Sequence, residues 1–196
     1  KPVMTPMQRR LQAARRTSAA LGYNECVTYS FIDQRSAALF GGGEDATKLE
    51  NPISSDMSHM RPALLPGLLQ AAARNQARGF MDLALFEVGP AFHGGEPGEE
   101  HMLVSGLLVG RTGPKDVHGA SRPVDVFDVK TDAEAVLAAI GAPAAASSSD
   151  SSPSSVPSRP STLSSAVLSV LPSVRSVRAS TLSTGSSCSP CSLLSI

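Results

Sequence analysis

Residues 51–92 read NPISSDMSHMRPALLPGLLQAAARNQARGFMDLALFEVGPAF, and the order of signals in them decides the fold. Asn51-Pro52 marks a turn, because the residue before a proline is pushed out of the helical region. Pro66 suits the first turn of a helix, where its missing N–H would have had no partner. The following LLQAAARNQAR is built from good helix formers, and Gly79 can take the left-handed conformation that ends them. Leu83 to Val88 is short and apolar and runs into Gly89-Pro90, which predicts a strand closed by a turn.

Upstream, Thr5 can cap a helix that Pro6 starts, and Gly22 stops it. Met7, Leu11, Ala14, Ser18 and Leu21 recur at spacings of three and four, so they share one face. Arg9 and Arg16 point the other way, flanked by Arg10 and Arg15. These arginines are either a solvated face whose stems cover apolar surface or a stripe that contacts phosphates. Cys26 to Ile32 alternates like a half-buried strand. Asp33 is placed to cap a short helix through Phe40, which Gly41-Gly42-Gly43 ends. That glycine run lacks the lysine and hydroxyl residue of a phosphate loop and reads as a plain loop.

Downstream, residues 93–100 (HGGEPGEE) form a loop by composition, Met102 to Gly110 a second strand, and Val124 to Val129 a third. Thr131 and Glu134 have capping-box spacing ahead of a helix that Gly141 closes. Strands alternating with helices imply an α/β or α+β domain on a sheet. Beyond Ala146 serine dominates, with proline, valine and leucine between, and Asp150 is the sole acid. Such text reads as disordered by composition or as a reading-frame change near residues 144–147. Cys188 and Cys191 have metal-site spacing, but no second ligand pair lies near them.

The 196 residues carry zero net charge, so any nucleic-acid contact needs a local basic patch. Tryptophan is absent and aromatics are few, so no base-stacking platform is evident. No apolar run approaches a membrane span, and cysteine usage suits a soluble, reducing, cytoplasmic setting. The four histidines are dispersed, no serine sits in a nucleophile elbow, and Asp125 and Asp128 suit surface or capping roles. The residues therefore point to no catalytic or metal site.

NPISSDMSHMRPALLPGLLQAAARN followed by LFEVGPAF resembles the catalytic-like module of the bacterial phenylalanyl-tRNA synthetase beta-subunit family. RRTSAALGYNECVTYSFI upstream and VDVFDVKTDAEAVLAAIG downstream are similar to the same family, in the same order. The resemblance implies an α+β, class II synthetase-like module, mainly an antiparallel sheet flanked by helices and incomplete at the C-terminus. It divides the chain into residues 1–6, the end of an upstream B5-type domain or linker; residues 7–143, the partial module; and residues 144–196, the serine-rich tail. It also implies that the chain is a fragment. For the complete enzyme it implies ATP and Mg2+, an alpha-subunit partner in an α2β2 tetramer, and tRNA, with neither cofactor expected on this fragment.

Class II catalytic domains grip ATP with arginines on a Phe-Arg-x-Glu strand and a later glycine-rich motif, because a planar, permanently charged fork suits phosphate. Here the comparable strand reads Leu85-Phe86-Glu87-Val88, with no arginine beside Phe86. The resemblance thus implies a structural, subunit-interface role, with no catalytic, cofactor or metal residue. Leu68, Leu69 and Ala72 lie on a broad apolar arc of the central helix, with Asn75 and Gln76 on or beside it. This arc is a candidate subunit interface, and an intrachain sheet or helix covering it is the alternative. Arg9, Arg10, Arg15 and Arg16 are the candidate tRNA contacts. A stand-alone scaffold that kept the fold is the alternative function, and an incomplete sheet predicts exposed apolar edges.

Overall fold

The computed structural model describes residues 3–113, 117 and 121–142, and the backbone of three strands at 166–169, 178–181 and 191–195. The described elements are α1 (Pro6–Ala20), β1 (Asn24–Glu25), β2 (Phe31–Ile32), α2 (Gln34–Leu39), β3 (His59–Met60), α3 (Leu65–Gln76), β4 (Leu83–Phe92), β5 (Glu100–Val109), α4 (Val126–Ala139), β6 (Ala166–Ser169), β7 (Arg178–Thr181) and β8 (Cys191–Ser195). The last three strands fall inside the segment read as a serine-rich tail.

The main sheet has the order β1-β4-β5-β8. β1 runs parallel to β4, whereas β4–β5 and β5–β8 are antiparallel. The long pair is the β4–β5 hairpin, in register from Leu83↔Val109 to Phe92↔Glu100. Side chains alternate across it, as a pleated strand requires. Phe86, Val88 and Val104 pack with Ala14 of α1 and Val129, Ala133, Val136 and Leu137 of α4. Leu85, Leu107 and Val109 pack with Leu65, Leu68, Ala71 and Ala72 of α3. The sheet is therefore covered by helices on both faces.

The helix starts follow their caps. Thr5 and Gln8 form a reciprocal capping box, and the Asp33 side chain accepts from the Ser36 N–H. Gly79 takes φ 95°, the left-handed conformation expected of a helix stop.

Four local expectations are corrected. β4 does not stop at Gly89-Pro90 but runs through to Phe92, because Pro90 costs a single donor while its neighbours keep the ladder with β5. Cys26 to Ser30 is not a strand: the Thr28 N–H bonds a side-chain carboxylate instead of a neighbouring strand. Val124 to Val129 is not a strand either. Asp125 and Asp128 form the capping box, so α4 starts at Val126 and Thr131 lies inside it, its hydroxyl donating to the Phe127 carbonyl.

Candidate functional site

Glu87 lies on the α3 face of β4, between Leu85 and Gly89. Its Oε1 accepts from Arg61 at 2.8 Å, and both side chains are almost wholly buried, at 3% and 4% exposure. Oε1 also accepts from the Thr28 N–H at 3.1 Å, and Oε2 accepts from the Thr28 hydroxyl at 2.7 Å. The same hydroxyl oxygen accepts from Arg61 at 2.9 Å, and Arg61 Nε donates to the Pro90 carbonyl at 2.9 Å. The Arg61 backbone ties in as well, its N–H to the Ser30 carbonyl and its carbonyl to the Phe92 N–H, both at 2.9 Å. Buried charge is tolerated only when paired and hydrogen-bonded, and this network meets that condition.

Two glycines make room for it. A Cβ on Gly67 of α3 would fall 2.2 Å from the Thr28 hydroxyl, and one on Gly89 would fall 2.8 Å from an Arg61 guanidinium nitrogen. Both are close-approach positions rather than breaks in their elements.

No arginine stands beside Phe86 in the chain, and the guanidinium that meets this strand comes instead from Arg61, which the sequence reading did not single out. A lone arginine in the apolar run HMRPALLPGLL and a lone glutamate in LALFEV are a signal for such a pair, since each charge must meet an opposite one once buried.

The network fixes the backbone of residues 26–30 against β4, where the Cys26 N–H also donates to the Phe86 carbonyl at 2.7 Å. With Thr28 held inward, Val27 and Tyr29 on either side project outward, 93% and 74% exposed. They line an open groove of about 530 Å³ together with Phe31, Met57 and, from α3, Gln70 and Arg74. Apolar side chains with a polar rim are the anatomy of a protein interface.

The expected interface arc divides. Leu68 and Ala72 are buried against the chain's own sheet, which is the intrachain alternative for those positions. Leu69 packs half-buried beside the same cluster. Asn75 and Gln76 are half-buried, and the Asn75 amide donates to the Ala71 carbonyl of its own helix at 2.8 Å. Of the four arginines on α1, Arg9, Arg10 and Arg16 are exposed. Arg15 is engaged, donating to Glu25 at 2.9 Å and to the Val88 carbonyl at 3.2 Å.

A second cleft, about 660 Å³, opens between the end of α1, the start of β4 and α4. At its wall the Tyr23 hydroxyl donates to Asp132 at 2.7 Å. Burial pushes the Tyr23 hydroxyl pKa well up, and burial also raises Asp132 against the opposing pull of that hydrogen bond. Among the described residues no three His, Cys, Asp or Glu side chains are placed to hold a metal ion. Arg61 directs Nε and Nη1 to Pro90, Thr28 and Glu87 inside the fold. Its guanidinium is therefore not turned toward an ATP phosphate.

The profile of the family described as phenylalanyl tRNA synthetase beta chain CLM domain matches residues 1–165. This chain belongs to that family. A phenylalanine--tRNA ligase beta subunit from Ruegeria pomeroyi is 80% identical over 143 residues, covering 73% of this chain and 18% of the relative. One from Cereibacter sphaeroides is 69% identical over the same length and coverage. The chain thus spans about 18% of the length of the curated relatives it matches. Among solved structures, a pyrrolysyl tRNA synthetase from Desulfitobacterium hafniense is similar in fold, at a TM-score of 0.50 and 17% identity over 70% of this chain and 47% of that one. No described helix is long and apolar enough to cross a membrane.

Proposed function

We propose that residues 7–143 are a partial catalytic-like module of a phenylalanine--tRNA ligase beta subunit, used for assembly rather than chemistry. In this reading the complete cytoplasmic enzyme is an α2β2 tetramer that joins phenylalanine to tRNA with ATP and Mg2+, and the module packs on the alpha subunit. The names of the relatives support the enzyme, and the fold likeness supports the synthetase-like sheet.

The observation that carries the non-catalytic role is the sealed Arg61–Glu87 pair. Adenylate formation needs preorganised positive charge aimed at phosphate. On this strand the neighbouring guanidinium is instead neutralised by Glu87 and turned onto Thr28 and Pro90. The contact surface for the alpha subunit is the groove carrying Val27 and Tyr29 with Gln70 and Arg74 of α3, and the half-buried Leu69, Asn75 and Gln76 of the same helix lie outside its lining. Arg9, Arg10 and Arg16 remain the candidate tRNA contacts, with Arg15 more tightly tied to the fold. ATP–pyrophosphate exchange with phenylalanine tests the role. The chain alone is expected to show none, and measurable exchange would overturn the reading.

A further inference from the structure

β5 has the side-chain environment of a central strand. Leu103, Val104, Ser105, Gly106, Leu107 and Val109 are buried. Val104 packs on the α1/α4 side and Leu107 and Val109 on the α3 side, so both faces are covered. One of its backbone edges is fully used by β4. Among the described residues the other is paired along Ser105–Val109, by β8, with Ser105↔Ser195 and Val109↔Cys191 at the two ends of the register. The stretch LVSGLLV has no charge and no proline, the devices by which natural edge strands avoid pairing with other chains. The strand that closes this edge comes from residues 191–195, whereas the family profile ends at residue 165. The core element is thus family sequence, and its cover is not.

We propose that the outer edge of β5 at residues 105–109 is a strand-acceptor site, that residues 191–195 fill it in this chain, and that vacating it makes two copies of the chain pair through their β5 edges. The recognition is main-chain hydrogen bonding, which tolerates changes of side chain, and this explains how a segment from outside the family match can serve. The antiparallel sense of β5–β8 gives the geometry that two β5 strands related by a twofold axis would adopt. The acceptor is short, so replacement by a second copy needs no rearrangement of the β4–β5 hairpin.

The test uses the full chain, under reducing conditions, beside a Leu193→Pro/Leu194→Pro variant. Adjacent strand residues direct their N–H groups to opposite sides, so the double change removes a β8 donor to β5. The wild type is expected to sediment as a monomer with slow amide exchange at residues 105–109. The variant is expected to dimerise or form larger species, and at dilutions that keep it monomeric those amides should exchange at least tenfold faster. A peptide with the sequence of residues 190–196 should return the variant toward monomer. A variant that stays monomeric with unchanged exchange overturns the proposal, as does a wild-type chain that already pairs through β5. Far-UV circular dichroism and retained slow exchange in β4 distinguish loss of the cover strand from general unfolding.

Discussion

Arg61 and Glu87 stand 26 positions apart in the chain, yet their side chains meet at 2.8 Å inside the protein. The pair joins three segments, since Thr28 bonds to both partners. Breaking one half leaves the other charge buried alone. Glu87→Gln or Arg61→Met is therefore expected to cost about 3–5 kcal/mol in urea unfolding. The double variant Arg61→Met/Glu87→Met should recover much of that loss, because neither charge is then stranded. Equal losses that simply add would show that the two side chains are not coupled.

Gly67 gives a prediction opposite to the usual rule. Glycine to alanine in a helix normally gains up to about 1 kcal/mol. At Gly67 the new methyl would collide with Thr28 at 2.2 Å, so Gly67→Ala should destabilise by roughly 1–3 kcal/mol. A higher melting temperature for the variant would mean that the loop is not held against α3.

Asp132 should leave a signature in the pH dependence of stability. Its folded-state pKa is raised by burial above the ordinary value of 3.8. Between those two values the folded state binds more protons than the unfolded state, so this group's contribution falls as pH rises. Asp132→Asn cannot ionise and can still accept from Tyr23. Wild type should therefore lose ground to the variant as pH rises from about 4 through the raised value, in denaturant titrations at each pH. Wild type gaining on the variant across that window would contradict this account. Asp128 runs the other way: its hydrogen bonds from Arg122 hold its carboxyl low, so its contribution is lost as pH falls.

The arginines of α1 should separate in the complete ligase. If the exposed stripe meets tRNA, Arg9→Ala, Arg10→Ala and Arg16→Ala each lower the salt dependence of tRNA binding by about one unit of slope. Arg15→Ala should instead cost stability, through Glu25 and Val88. Unchanged affinity and slope in the triple variant would remove tRNA contact from the reading.

The parts of the fold legible in the sequence are those set by local chemistry. Thr5, Asp33, Pro66 and Gly79 each act through neighbours within a turn or so, and α1, α2 and α3 lie where those residues place them. The illegible parts depend on long-range partners. Thr28 looks like one position of an alternating strand, but the Glu87 carboxylate reaches its N–H first. Val124 to Val129 is apolar enough for a strand, yet Asp125 and Asp128 cap each other's turn and begin a helix. The apolar arc of α3 was visible, but periodicity does not say what covers an arc, and here the chain's own β4 and β5 cover Leu68 and Ala72. The exposed pair Val27 and Tyr29 follows only once Thr28 is known to turn inward.

The claim that this synthetase-like module is a surface for another subunit is tested most directly by charging that pair. The intact beta subunit carrying Val27→Asp/Tyr29→Asp would be mixed with the alpha subunit, and assembly followed by sedimentation. Both side chains are exposed, so the variant's thermal unfolding should match wild type. Assembly is predicted to weaken at least tenfold, with phenylalanylation falling in parallel. Wild-type assembly and activity from a normally folded variant would contradict the account.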